Sequence, residues 1–375
     1  MPESPHPIAA RRPSWQDSLT AIQSEPLSFC PSFPEIAEKW NNWWACRSGQ
    51  PLIVAQVAKT DTIRWDKAFD LLEQPEEWLS ARRKQVEETY HAGEAIPSVR
   101  VDFGPVALAA FMGAPLHFAQ EEQTTWQDPV VESWEDENPM RVDPDNRWLK
   151  QTLLLMEILA GDARGNYLVC LPDLTGAIDA IANMRTPTKL CFDLYENRDA
   201  VLAATMRSVD AWETVFARMY DLVLGHGAGI IQWVTSWADS PYTLPTCDFN
   251  ALIGRQDFDQ VCMPSLKEQA RRAGLCVFHL DGPDAARHAE TLAKDPDITA
   301  VQFTAGAGTP SALAKVEMFR MIQQHATPLF IECPAEEVRE LAQTLDPHGV
   351  AYRVLDLKSP KEADELVAWR DRTFN

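Results

Sequence analysis

The chain has 375 residues, 45% hydrophobic and 24% charged, enough for a large core and the right length for one α/β barrel with insertions. Asp and Glu outnumber Lys and Arg by 55 to 34, a formal charge of −21, so the average field repels phosphate and nucleic acid is not an expected partner. No apolar run nears the ~18 residues of a membrane span, and none follows Arg11 and Arg12 as in a secretory signal, so a soluble, cytoplasmic chain without membrane contact is expected.

In chain order, residues 1–45 are proline-rich and read as an irregular N-terminal arm, with residues 46–375 as the main domain. Trp40, Trp43 and Trp44 then either cover a neighbouring copy in a homodimer or, more simply, pack on their own domain. Strands are expected at Leu52 to Val57 and Val99 to Phe103, where apolar and β-branched residues cluster between turn residues. The acidic, Trp-containing stretch 120–146 reads as an insertion over one end of the fold. Tyr167 to Leu171 is a further strand, and Leu190 to Leu194 an extra one that would upset the count. A long helix runs from about Asp199 to Leu224, its stripe formed by Val201, Met206, Val209, Trp212, Phe216, Met219 and Val223. Gly229 to Val234 is again a strand, and a helix follows from Gln256 onward.

The C-terminal third carries the plainest signal. Strands at Cys276 to His279, Ile298 to Phe303, Pro328 to Ile331 and Val350 to Val354 lead to Pro283, Pro310, Pro334 and Pro360. Those prolines lie 27, 24 and 26 residues apart, room for one strand, one helix and two loops. Proline suits a first helical turn because its missing N–H would be unpaired there. Gly282, Thr309 and Ser359 suit the cap positions, and Ser359 with Glu362 makes a capping box. Repeated βα units predict parallel strands with right-handed crossovers. Eight strands in all predict a (β/α)₈ TIM barrel.

In such a barrel, chemistry belongs to the strand C-termini and the loops after them. That rule selects Asp102, Asp173, Trp233, Trp237, Asp239, Tyr242, Asp248, His279, Asp281, Gln302, Glu332, Cys333, Asp356 and Lys358. His279 and Asp281 share strand parity. With Glu332 or Cys333 they could bind a divalent metal, zinc or another, at an open site. Equally, Asp281 could cap the helix entered at Pro283 and His279 could be a hydrogen-bonded core residue. Trp233 and Trp237, also of one parity, and Tyr242 could hold a sugar or a methylated ammonium group, or pack the insertion. Asp248 is a general base or a helix cap. Gly306-Ala307-Gly308 could offer backbone N–H groups to an anion. The eight cysteines form no CxxC pair and read as reduced core thiols.

Several runs resemble a known family: Gly104-Pro105-Val106-Ala107-Leu108-Ala109-Ala110-Phe111, Asp173-Leu174-Thr175-Gly176-Ala177-Ile178-Asp179, Asp248-Phe249-Asn250-Ala251-Leu252-Ile253, Met263-Pro264, His279-Leu280-Asp281-Gly282-Pro283 and Val301 to Gly308. They are similar to uncharacterised members of the uroporphyrinogen decarboxylase superfamily, most clearly over residues 228–310. The resemblance implies a (β/α)₈ barrel and two competing chemistries. The decarboxylases use an N-terminal Arg-Gln-Ala-Gly-Arg motif to hold a polycarboxylate tetrapyrrole, and this chain lacks it. The methyltransferases that serve corrinoid proteins bind zinc through a His-x-Cys pair and a later Cys. Here His279 matches the histidine, Asp281 replaces the first cysteine, and no cysteine follows Val350.

The expectation is an enzyme acting on a small organic substrate by methyl transfer, with His279, Asp281 and Asp248 catalytic and a corrinoid protein as partner. Trp233, Trp237, Tyr242, Asp102 and Gln302 are the expected substrate contacts, and His279, Asp281, Glu332 and Cys333 the expected metal ligands. The alternatives are a tetrapyrrole decarboxylase of porphyrin biosynthesis and a non-catalytic ligand-binding barrel.

Overall fold

Each of the eight expected barrel strands is present, some shortened, in a computed structural model that describes residues 7–58, 71–119, 124–136, 138–306 and 311–374. In chain order the strands are β1 (Leu52–Ala58), β2 (Thr89–Gly93), β3 (Ser98–Arg100), β4 (Leu116–Ala119), β5 (Thr124–Gln127) and β6 (Leu168–Cys170). There follow β7 (Ile230–Ile231), β8 (Tyr242–Thr243), β9 (Leu275–Asp281), β10 (Ala300–Thr304), β11 (Leu329–Pro334) and β12 (Val350–Leu355). One sheet has the order β2-β1-β12-β11-β10-β9-β8, a second β3-β6-β7, and β4-β5 is a separate hairpin. Apart from β1 with β2 and the hairpin, all these pairs are parallel.

The architecture is therefore mixed α/β with parallel strands and crossover helices, as the proline spacing predicts. Ring closure is not shown: hydrogen bonding ends at β2 and β8 on one sheet and at β3 and β7 on the other. β11 and β12 are buried at nearly every position up to their ends, the pattern of strands covered on both faces. Pro360 starts the last helix, Pro360–Phe374. Its predicted box forms, with the Glu362 N–H donating to Ser359 Oγ at 3.2 Å and the Lys358 N–H to the Glu362 carboxylate at 2.7 Å. Pro334 instead ends β11 and flanks the helix Ala335–Thr344.

Two expectations are corrected. Leu190 to Leu194 is not a strand but lies in the helix Pro187–Glu196, where Thr186 accepts from the Lys189 N–H and Pro187 opens the first turn. The described part of the N-terminal segment, from residue 7 on, is not irregular: it forms helices at Ile8–Arg11, Pro13–Gln23 and Phe33–Trp44. The third buries Phe33, Ile36, Ala37, Trp40 and Trp43. Trp43 donates to the Leu329 carbonyl at the start of β11, 3.1 Å away, and Trp40 meets Phe330 edge-on. These tryptophans thus pack on their own fold, over the starts of the strands. The long helix spans Arg198–Gly225, against the expected Asp199 to Leu224. No helix among the described residues is long and apolar enough to cross a membrane. All eight cysteines are free.

Candidate functional site

The strands deliver their C-terminal ends to a cavity of about 690 Å³. Gln56 of β1, Arg353 of β12 and His279 and Asp281 of β9 line it, with Arg100 and Asp102 at the end of β3 and Cys170 and Asp173 at the end of β6. Trp233 and Thr235 follow β7, Thr246 and Asp248 follow β8, and Arg82 comes from the helix Pro75–Glu87. The hairpin β4–β5 sits beside this mouth: Thr125 donates to the Phe103 carbonyl at 2.8 Å, and a Cβ on Gly104 would lie 2.3 Å from Thr125 Oγ1. Part of the predicted insertion thus meets the loop that lines the cavity, while residues 120–123 lie outside the described chain.

Of the fourteen residues singled out from sequence, His279, Asp281, Asp248, Asp173, Trp233 and Asp102 line the cavity, and Trp237, Asp239, Tyr242, Gln302, Glu332, Cys333, Asp356 and Lys358 do not. Trp237 is fully buried, packed edge-on against Phe33 with its carbonyl accepting from Trp44. Tyr242 is equally buried, and its hydroxyl donates to the Ser236 carbonyl at 2.6 Å while accepting from the Gln232 N–H. Both are structural, so the aromatic platform reduces to Trp233. Gln302 is buried opposite His279 in the β9–β10 register, bonded to His279 Nδ1 and to Thr304. It fixes the imidazole from behind.

The expected metal set does not come together. Glu332 is held by Arg353 at 2.6 Å and Thr304 at 3.1 Å. Cys333, next along β11, takes the opposite face and is buried. Among the described residues no three His, Cys, Asp or Glu are placed to hold a metal ion. Ala307 and Gly308 of the glycine-rich turn lie outside the described residues. Asp281 stands at the cap position of Gly282–Ala285 but makes no capping hydrogen bond, so the helix-cap reading fails and its carboxylate is left to the cavity.

Burial and neighbouring charge tune the carboxylates. Asp173 is 7% exposed, and burial lifts its pKa to about 6, against the opposing pull of the Thr175 N–H, Arg100 and His279. Asp248 is exposed along the cavity. Burial raises its pKa, His279 lowers it, and the Asp281 and Asp173 carboxylates raise it further. Burial pushes the Cys170 thiol to about 12, so no thiolate forms there near neutral pH.

Sequence reasoning missed the groups that build this wall. Asp179 is buried under the Asp248 loop, accepting from Thr246 Oγ1 at 2.7 Å and from the Asp248 and Phe249 N–H groups at 2.9 and 3.0 Å. Burial and the Asp248 charge raise its pKa. Arg82, Arg100 and Arg353 also reach the cavity, and in sequence they look like solvated charges. Thr175 and Thr235 adopt positive φ, 57° and 59°, where a β-branched side chain is strained. Both lie in loops leading from the strand ends at the cavity.

No protein-family model and no curated protein matches the chain. Among solved structures, a methyltransferase from Methanosarcina mazei is similar, with a TM-score of 0.60 and 12% identity, covering 91% of this chain and 99% of that one. At that identity the likeness establishes a shared fold.

Proposed function

We propose that the chain is a (β/α)₈ enzyme of the uroporphyrinogen decarboxylase superfamily that removes a methyl group from a small organic donor bound in the cavity. The observation that carries this reading is the convergence of His279, Asp248 and Asp281 beside Trp233 at the strand C-termini. The likeness in fold to a methyltransferase supports it. The bond from the donor heteroatom to the methyl carbon breaks with its electron pair staying on the heteroatom, and a nucleophilic acceptor's pair forms the new bond. An oxygen or sulfur leaving group then takes a proton, which Asp248 can supply because its pKa is raised. Gln302 holds the His279 ring in place, and Asp179 holds the loop that carries Asp248.

A corrinoid protein is the acceptor that the resemblance implies, and it would supply nucleophilic cobalt. This chain's own part is to bind, orient and protonate the donor. The donor set does not fit a metal, and no step is routed through one. A tetrapyrrole with many carboxylates is disfavoured because the chain lacks the N-terminal Arg-Gln-Ala-Gly-Arg motif that holds one in the decarboxylases it resembles.

The test offers O-, S- and N-methyl donors with free cob(I)alamin or a thiol as acceptor and follows the donor methyl signal by NMR. Enzyme-dependent loss of that signal is expected, slowed ~10²–10⁴-fold in His279→Ala and Asp248→Asn. Absence of transfer from every donor class, or transfer unaffected by both substitutions, refutes the reading.

A further inference from the structure

The cavity wall is divided by charge. On one side, Asp102 accepts from Arg100, and Arg82 lies close enough for the same carboxylate to act on it. Two guanidiniums thus share one carboxylate, while Arg353 is matched by Glu332. Asp173 also acts on Arg100, so Arg82 is the guanidinium without a carboxylate of its own: one of its terminal nitrogens donates to Gln85 at 3.1 Å, and its Nε is buried with no acceptor among the described residues. An anion in the cavity beside Arg82 would supply that counter-charge.

Elsewhere on the lining, Asp248 feels the charges of His279, Asp281 and Asp173, so three carboxylates share the cavity with that imidazole. The Trp233 ring meets His279 edge-on at 4.8 Å, and its Nε1 is also buried without a partner among the described residues. Carboxylates beside an aromatic ring are the surroundings that favour a permanent organic cation, through Coulomb attraction and the negative face of the ring. Anion-seeking and cation-seeking walls of one cavity select a molecule that carries both charges.

We propose that the cavity takes a small zwitterion of the betaine type, its carboxylate at Arg82 and its methylated ammonium at Trp233 beside Asp281. This deepens the methyl-transfer reading and rests on it for the role of the bound molecule as donor. The chemistry agrees: when a quaternary ammonium loses a methyl group to a thiolate or cobalt nucleophile, the C–N pair stays on nitrogen and a neutral tertiary amine leaves without needing a proton.

Three probes of similar size separate the two charges: glycine betaine, 3,3-dimethylbutanoate, which replaces the ammonium with a quaternary carbon, and choline, which lacks the carboxylate. Calorimetric titration at pH 7.5 is expected to show glycine betaine binding at least tenfold more tightly than either analogue. Arg82→Gln should abolish the preference over choline and leave choline within twofold. Asp281→Asn should abolish the preference over 3,3-dimethylbutanoate. Arg82→Lys, which keeps the charge, should retain part of the preference, and circular dichroism of each variant establishes that it is folded. Equal binding of the three probes overturns the proposal, and so does no measurable binding of any. Methyl transfer from an uncharged donor without betaine binding would remove the zwitterion and leave the methyltransferase, whereas betaine binding without transfer to any acceptor would do the reverse.

Discussion

Where the parallel strands start, buried charge is matched. Glu94 is fully buried and accepts from Lys39 at 2.8 Å, from Arg370 at 2.5 Å and from the Ile53 N–H at 2.8 Å. Arg370 also donates to the Pro51 carbonyl, and Trp40 and Trp43 complete the seal. Where the strands finish, Asp173 and Asp248 are held against their preferred ionisation, and Trp233 Nε1, Thr235 Oγ1 and Arg82 Nε lack partners among the described residues. One end spends its buried charges on the fold. The other keeps them for something that is not part of the chain, which is the division expected of strands that carry chemistry at their C-termini.

Four substitutions sharpen or break that contrast. Glu94→Ala strands Arg370 without its carboxylate, so a loss of about 3–5 kcal/mol is expected in chemical denaturation, with ligand affinity in the cavity unchanged where the protein is folded. A loss under ~1 kcal/mol would show that the strand-start end is not the stabilising one.

Asp173→Asn should act in the opposite direction. With a folded pKa of about 6 against an ordinary 3.8, the folded state binds the proton more tightly. The group's contribution is fully present below about pH 4 and is lost as pH rises through about 6, so wild type pays for its ionisation at neutral pH. The asparagine variant should therefore be ~1–3 kcal/mol more stable at pH 7.5 and no more stable at pH 4. Thermal melts across that range decide, and a pH-independent difference would refute the assignment.

Gly104→Ala is expected to cost about 1–2 kcal/mol and to weaken ligand binding, because φ is +76° and the new Cβ meets Thr125. An unchanged melting temperature would mean that the hairpin is not fixed on the mouth. Asp281→Ala, at a position without a capping bond, should change stability by less than ~0.5 kcal/mol and leave the metal content of the purified protein as it was. Loss of bound metal in that variant would restore a ligand role for the carboxylate.

How much of this was legible in the sequence depends on the kind of signal. The four C-terminal βα units were readable because Pro283, Pro310, Pro334 and Pro360 punctuate short apolar strands, a local signal that needs no tertiary knowledge. Leu190 to Leu194 misled because five residues, apolar but for Asp193, have no period of their own, and the Thr186-Pro187 start that makes the segment a helix lies just upstream. The N-terminal helices were missed because prolines at Pro13 and Pro34 look like breakers, yet they sit in first turns, where proline is accommodated. At the site, strand parity placed His279 and Asp281 on the cavity face correctly. The same reasoning could not tell that Glu332 is taken by Arg353, which lies opposite it in the β11–β12 register. Nor does Arg82, in the basic run Arg82-Arg83-Lys84, differ in sequence from a solvated arginine.

The helix that seals the strand starts also bears on how the chain reaches its native state. Trp43 bonds to Leu329 across 286 residues and Arg370 to Pro51 across 319, contacts whose loop-closure entropy must be met before they stabilise anything. During synthesis, Trp40 and Trp43 emerge long before Leu329, Phe330 and the Arg370 helix exist to cover them. The growing chain therefore carries a cluster of exposed tryptophans for most of its elongation, and that segment is where chaperone capture and aggregation of incomplete chains should concentrate.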